Sequence, residues 1–267
     1  MTTKSQLSDW VEASARTVSN LGKPGFAAAL THAMRVIVPF EFTVIFAYHR
    51  DHKPIDLYAD FPATKRTVMV NDYQEGPYLL DPFYLQSQSP ARTRLARLRD
   101  LAPDRFYQGE YFRNYYVQTG LAEEIGYIVD VGGEVSVVAS AMRESKMFSA
   151  REFRDLEALL PFVAATAQKQ WAGLTGQFSA QPPSKGQRLP QLIEDAFQSF
   201  GHNLLTPREA EVVEYILKGH SADATGRALG IASGTVRIHR RNIYAKLRVS
   251  SQGELFSKFM ASLSELA

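Results

Sequence analysis

The sequence predicts an α+β protein in two parts: an N-terminal α-β-α sandwich built on an antiparallel sheet, and a C-terminal all-α domain of four helices. Three observations predict it. Within residues 1–171, two pairs of alternating segments that can form hairpins lie among amphipathic helices, with no repeat of strand and crossover helix. Residues 172–190, AGLTGQFSAQPPSKGQRLP, then lack apolar periodicity and are rich in Gly, Pro, Ser and Gln, as a linker is. From residue 191 to 267 the pattern is helical and locally basic.

Taken in order, Leu7 to Asn20 and Phe26 to Ile37 carry helical apolar spacing. Phe40 to His49 (FEFTVIFAYH) alternates and is rich in β-formers, and Pro54 to Asp60 can pair back across the turn Arg50-Asp51-His52-Lys53. Met69 to Gln86 and Gly109 to Thr119 read as helical and aromatic-rich. Glu124 to Val131 and Glu134 to Glu144 make a second hairpin about Gly132-Gly133. Ser149 to Lys169 reads as one long amphipathic helix started by the capping box Ser149-x-x-Glu152. After the linker, Pro190 to Phe200 predicts a short helix on the C-terminal side.

In the last part, Thr206-Pro207-Arg208-Glu209 has the form of a capping box with proline at the first helical position, where its missing N–H costs nothing. Val212, Val213, Ile216 and Leu217 follow at helical spacing, and Gly219 ends the helix. Ser221 can cap a short second helix that stops near Leu229-Gly230, and Ala232 to Leu247 forms a third. Helix, tight glycine turn, helix is the helix-turn-helix pattern. On the third helix Val236, Ile243 and Leu247 fall on one stripe, and Arg237, Arg240, Arg241, Tyr244 and Arg248 on another about a quarter turn away. One stripe packs; the other is cationic. Ile231 to Arg248 holds five Lys or Arg and no Asp or Glu, an excess suited to phosphate.

At these residues the chain resembles the LuxR-type helix-turn-helix family of bacterial transcription regulators. The resemblance runs through LTPRE, Gly219, Leu229, Ile231, Thr235-Val236-Arg237, His239, Asn242-Ile243, Lys246-Leu247 and Val249. It implies that the third helix enters the major groove of a double-stranded DNA operator, with base contacts from Arg237, Ile238 and Arg241 and backbone contacts from Thr235, Arg240 and Lys246. The chain departs from the family over residues 222–226 (ADATG), where Thr225 replaces a core isoleucine and Gly226 lies inside a helix. Each is expected to cost stability, the glycine about 1 kcal/mol against alanine.

Composition agrees with two domains. A chain of 267 residues with 45% apolar content can bury two cores, and no run approaches the roughly eighteen apolar residues that cross a membrane. The start, MTTKSQLSDW, lacks the charged-then-apolar order of a signal peptide, and there is no cysteine, so a cytoplasmic location is expected. The formal net charge of +2 hides an asymmetry: residues 200–267 carry nine Lys or Arg against six Asp or Glu. Only that part is basic enough to seek nucleic acid.

In the N-terminal part, Tyr73, Tyr78, Phe83 and Tyr84 surround Leu80-Asp81-Pro82, and Phe106, Tyr107, Tyr111, Phe112, Tyr115 and Tyr116 follow. Aromatic walls with a few polar groups suit a small-ligand pocket, for which Tyr78, Asp81, Phe83, Tyr84, Tyr111 and Tyr115 are the candidates. Asp81 precedes a proline and is expected to be extended, either as a ligand anchor or as a cap or turn residue. The layout resembles GAF or PAS sensor domains and excludes a phosphoacceptor receiver, which needs a parallel βα repeat. It also resembles the autoinducer-binding domains of LuxR-type quorum sensors, whose Asp-Pro binds the ligand amide. Those receptors place a tryptophan about thirteen and a tyrosine about nine residues before that Asp, where this chain has Val68 and Asp72. An acyl-homoserine lactone is therefore not supported as the ligand. GluTyrPheArgAsnTyrTyr and ThrGlyLeuAlaGluGlu look closer to a branch of LuxR-type regulators with GAF-like sensors.

Catalysis is not expected. Glu123 and Glu124 are adjacent before a strand, so they point to opposite faces and only one is expected inside. The histidines His32, His49, His52, His202, His220 and His239 are scattered, and neither a phosphate-binding G-x-x-x-x-G-K-[ST] nor a G-x-S-x-G elbow occurs. No metal or cofactor is expected. Leu255, Phe256, Phe259, Met260 and Leu263 form an apolar stripe that predicts a C-terminal homodimer contact. The expectation is a regulator in which a small-molecule effector controls operator binding, with RNA polymerase a candidate partner. The alternative is a ligand-independent regulator whose N-terminal domain dimerises or docks a protein.

Overall fold

A computed structural model describes residues 4–49, 52–74, 77–88, 93–104, 106, 120–180, 200–201 and 203–266. Its N-terminal half is organised by a five-stranded sheet in the order β2-β1-β5-β4-β3, with every neighbouring pair antiparallel: β1 (Phe42–His49), β2 (Ile55–Ala59), β3 (Arg94–Arg97), β4 (Glu123–Gly132) and β5 (Val135–Arg143). Both predicted hairpins form. Gly132 and Gly133, at φ 86° and 61°, supply the left-handed turn of the second. The edge strand β3 had no signal in the sequence, because four residues are too few to show a period.

Strand alternation sends two separate apolar sets to the two faces. Ile45, Ala47, Ile125, Tyr127, Val137 and Ala139 pack with Leu30 and Met34 of α2 (Phe26–Ile37), Leu156 of α6 (Ala150–Ala158) and Val163 of α7 (Leu160–Trp171). α1 (Lys4–Ser19) lies against α2. The other face, Val44, Phe46, Tyr48, Ile128, Val138 and Met142, is covered by the segment from α3 (Ala63–Arg66) to α4 (Pro82–Ser87). A short α5 (Leu98–Leu101) follows β3.

Three expectations change. Met69 to Gln86 is a π-helical turn at Thr67–Asp72, a 3₁₀ turn at Pro77–Leu80 and then α4, where Pro82 holds Asp81 before it out of helix. The long C-terminal helix of this domain breaks at Leu159, since Pro161 donates no N–H and crowds the carbonyl four residues back. Within the predicted linker, Leu174–Ala180 is a helix, α8, whose Leu174 and Phe178 are buried four residues apart. That pair was the overlooked signal. Residues 181–199, which include the rest of the linker and most of the predicted Pro190 to Phe200 helix, lie outside the described residues, as does the predicted helix from Gly109 to Thr119.

The C-terminal part holds four helices among the described residues: α9 (Pro207–Leu217), α10 (Ala222–Leu229), α11 (Ser233–Leu247) and α12 (Gln252–Leu266). The capping box is present in full, with Glu209 N bonded to Thr206 Oγ1 and Thr206 N to Glu209 Oε2. Leu255, Phe256 and Phe259 are buried in this domain's own core rather than on a surface, so these three do not supply the predicted dimer face; the side chains of Met260 and Leu263 lie outside the described residues. A single apolar cluster joins this core to the α3–α4 side of the sheet.

Candidate nucleic-acid interface and ligand cavity

The helix-turn-helix is built by α10 and α11. Ser221 caps α10, its Oγ accepting Ala224 N, and Gly230 closes it at φ 66°. Val236, Ile243 and Leu247 are buried as their stripe predicts, and this fixes how far α11 can roll on its neighbours. Arg237, Arg241 and Thr235 are left exposed, and Ile238 is 52% exposed, which a solitary isoleucine between arginines has no packing reason to be. Arg240 lies half-buried, its Nε 3.1 Å from Tyr244 Oη and its guanidinium over the Tyr244 ring. Lys246 is placed differently from the others. Its Nζ is 2.6 Å from Glu209 Oε2, tying α11 to the start of α9. Burial alone would push the Glu209 carboxyl up, but Lys246 and Thr206 hold it below the usual carboxylate range. Lys246 therefore carries a structural bond as well as any backbone contact.

Gly226 and Thr225 have outcomes of their own. A Cβ at Gly226 would stand 2.7 Å from Ile231 O, so the turn closes only over glycine. Thr225 is fully buried, and its Oγ1 has no hydrogen bond among the described residues, which agrees with the expected cost.

In the N-terminal domain, the α3–α4 side of the sheet holds a small, partly open cavity of about 20 Å³. That is room for about one or two waters. Of the predicted residues, Asp81 and Phe83 line it; Tyr78 and Tyr84 are buried beside it, their rings in an edge contact at 5.1 Å; Tyr111 and Tyr115 lie outside the described residues. Tyr73, part of the sequence's aromatic cluster though not among its candidate site residues, lines it too, and the sequence missed the polar lining residues Tyr48, Glu124 and Ser140. Glu124 is opposite Met142 and Ser140 opposite Val44, so strand register gathers residues almost a hundred apart. Gly126 lets α4 come close, since a Cβ there would meet the Phe83 ring at 2.5 Å.

Asp81 has both roles the sequence allowed. It is extended and caps α4 through Oδ1 and Phe83 N at 2.7 Å, while Oδ2 accepts the Tyr73 hydroxyl at 2.7 Å; that hydroxyl is also 2.7 Å from Tyr48 Oη. Burial pushes the Asp81 carboxyl up to about 6, against the lowering effect of the bonds from Tyr73, Phe83 and Tyr84. Burial, with Asp81 next, pushes the Tyr48 hydroxyl well above its ordinary value, so it is neutral.

Glu123 and Glu124 are both inside, 5% and 4% exposed, because the sheet is covered on both faces. Glu123 pairs with Arg97, while Glu124 faces the cavity. His49 and His52 meet through their Nδ1 atoms at 2.9 Å against Phe178 of α8. Among the described residues no group of three metal-binding side chains forms, and no helix is long and apolar enough to cross a membrane.

Residues 203–259 match the family described as "Bacterial regulatory proteins, luxR family". Over 159 residues the chain is 37% identical to the putative HTH-type transcriptional regulator in the exeN 3' region of Aeromonas salmonicida, covering 58% of this chain and 80% of that protein. It is 28% identical over 137 residues to the response regulator protein TodT of Pseudomonas putida, 51% of this chain and 53% of the other. The solved VqsR LBD domain from Pseudomonas aeruginosa superposes with a TM-score of 0.53 at 27% identity, over 60% of this chain and 95% of that one.

Proposed function

The chain belongs to the luxR family of bacterial regulatory proteins, and from that premise we propose that a small molecule held by the N-terminal domain controls how the C-terminal helix-turn-helix binds duplex DNA. One observation carries the DNA half. The helix whose Val236, Ile243 and Leu247 lock it into the core turns Thr235, Arg237, Ile238 and Arg241 outward together. In this reading Arg237, Ile238 and Arg241 reach base edges, and Thr235, Arg240 and Lys246 the backbone. Arg241→Ala should relax preference at one operator position by about 1–3 kcal/mol. Gel shifts on a randomised operator pool check it: a preference identical to wild type removes Arg241 from base reading.

For the effector, support comes from the buried polar groups on the cavity wall and from the likeness to the VqsR LBD domain. Asp81 is the proposed anchor. Asp81→Asn keeps the cap and lets Tyr73 reverse its hydrogen bond, so the fold should survive while effector affinity falls several-fold to a hundredfold, at about 1.5–3 kcal/mol for a charge-assisted bond. An acceptor that ionises at about 6 loses its charge as pH falls through that value, so wild-type affinity should drop below pH 6 and the Asp81→Asn affinity should not. Calorimetry on the two proteins decides, and equal affinities at neutral pH leave Asp81 as a cap alone.

The cavity of about 20 Å³ favours a second reading, in which the N-terminal domain binds no small molecule and serves in dimerisation or protein docking. A melting-temperature screen against metabolites separates the two, because only a native-state ligand raises it. A cytoplasmic location and a homodimer belong to the same proposal. For the dimer, the support is an apolar face on α1, where Leu7, Val11 and Val18 are each at least half exposed. RNA polymerase is a proposed partner on family grounds.

A further inference from the structure

The N-terminal domain places a carboxylate on the helix-turn-helix. Asp104, just after α5, accepts the Ser221 backbone N–H on Oδ1 at 2.9 Å, across 117 residues of sequence. Ser221 is the cap of α10, the first helix of the motif, so the carboxylate stands at the positive end of that helix dipole. The contact is not an isolated touch. Phe106, two residues on, is 2% exposed within the apolar cluster that joins the two domains, and Ala222 packs against the same cluster. Burial pushes the Asp104 carboxyl up, but the Ser221 hydroxyl and N–H and the nearby His220 together hold it below its ordinary value, so it is ionised at neutral pH. Among the described residues, Lys218 and Asp223 also place charges at this corner.

In helix-turn-helix complexes the helix before the recognition helix crosses the sugar-phosphate backbone, and helix N-termini there bind phosphate through their free N–H groups. A carboxylate at that position has the charge and acceptor geometry of a phosphate oxygen. The two anions cannot share it.

We propose that Asp104 is an intramolecular competitor for a DNA phosphate: while its carboxylate holds the α10 N-terminus, the operator lacks one backbone contact, and withdrawal of Asp104 restores it. The inference rests on the reading of the C-terminal domain as a duplex-DNA binder. Because Asp104 follows directly on α5 and β3 of the sensor sheet, it gives that sheet a route to the motif.

The test uses the full chain and a random-sequence duplex, with affinity followed over a salt series by fluorescence anisotropy. Asp104→Asn, which keeps the shape and removes the charge, should bind several-fold tighter, and the slope of log K against log salt should steepen by about 0.9, as expected for one more phosphate. Asp100→Asn removes an exposed carboxylate from the same segment without touching α10 and should match wild type. If Asp104→Asn keeps the wild-type affinity and slope, the competitor does not exist. It is equally overturned if Asp100→Asn gains as much, since bulk charge would then explain the effect. Salt-independent or absent binding by wild type and variants alike would instead remove the DNA-binding reading itself, and the inference with it.

Discussion

Glu123→Ala should unfold the N-terminal domain at a denaturant concentration where the wild type is still native, at a cost of about 3–5 kcal/mol. The carboxylate is wholly enclosed. Oε1 lies 2.5 Å from Arg97 Nη1 and Oε2 accepts Phe148 N at 2.5 Å, with side-chain exposures of 6% for Arg97 and 2% for Glu123. Arg97 also donates to the carbonyls of Phe148 and Ser149, at 3.0 and 3.2 Å, and its guanidinium stacks over the Phe153 ring. The pair thereby ties edge strand β3, strand β4 and the entry to α6 into one unit. Truncating Glu123 leaves a buried guanidinium without its counter-charge and an orphaned Phe148 N–H. Arg97→Ala should cost as much, and the double variant less than the sum, because each single change strands the other charge. Urea titrations of the three proteins measure this. A single-variant loss under about 1 kcal/mol would show the pair to be replaceable by solvent.

Gly226→Ala should lower both stability and DNA affinity, although helix propensity alone predicts a gain of about 1 kcal/mol. The opposing effect is steric. The new Cβ would sit 2.7 Å from Ile231 O and 3.3 Å from Ser233 N, and these backbone atoms cannot swing aside as a side chain would. They are also held from the other direction, since Ile231 N donates to Gly226 O at 2.9 Å. Opening that turn costs about 1–3 kcal/mol in overpacking and shifts the start of α11, which presents Thr235, Arg237 and Ile238. Thermal melts and operator binding should fall together. A more stable Gly226→Ala protein would mean the turn has slack.

What the sequence showed well was local. Alternation located both hairpins, and a capping box, a glycine stop and a two-stripe helix located the motif, because each signal is complete within a dozen residues. What it missed depends on tertiary placement. Gly226 read as a penalty by propensity, and only the return of the chain at Ile231 makes it a requirement. Glu123 and Glu124 alternate correctly, yet whether the second face is covered is decided by α3 to α4 and not by the strand. Leu255, Phe256 and Phe259 are consumed by a core that the count of four small helices underestimated. Tyr48, Glu124 and Ser140 carry no shared local pattern; strand register brings them to one wall, and the turn after Thr67–Asp72 brings Tyr73 to face it.

The closeness of that wall has a kinetic meaning. In the proposed ligand reading, an effector larger than a water or two does not fit the cavity, and its binding then requires the lining to open. Its apparent affinity is then the intrinsic one scaled down by the fraction of molecules that are open. Its association falls below the ordinary range of about 10⁵–10⁷ M⁻¹s⁻¹ in proportion. In that reading the domain would answer to the sustained presence of an effector and filter out brief exposures.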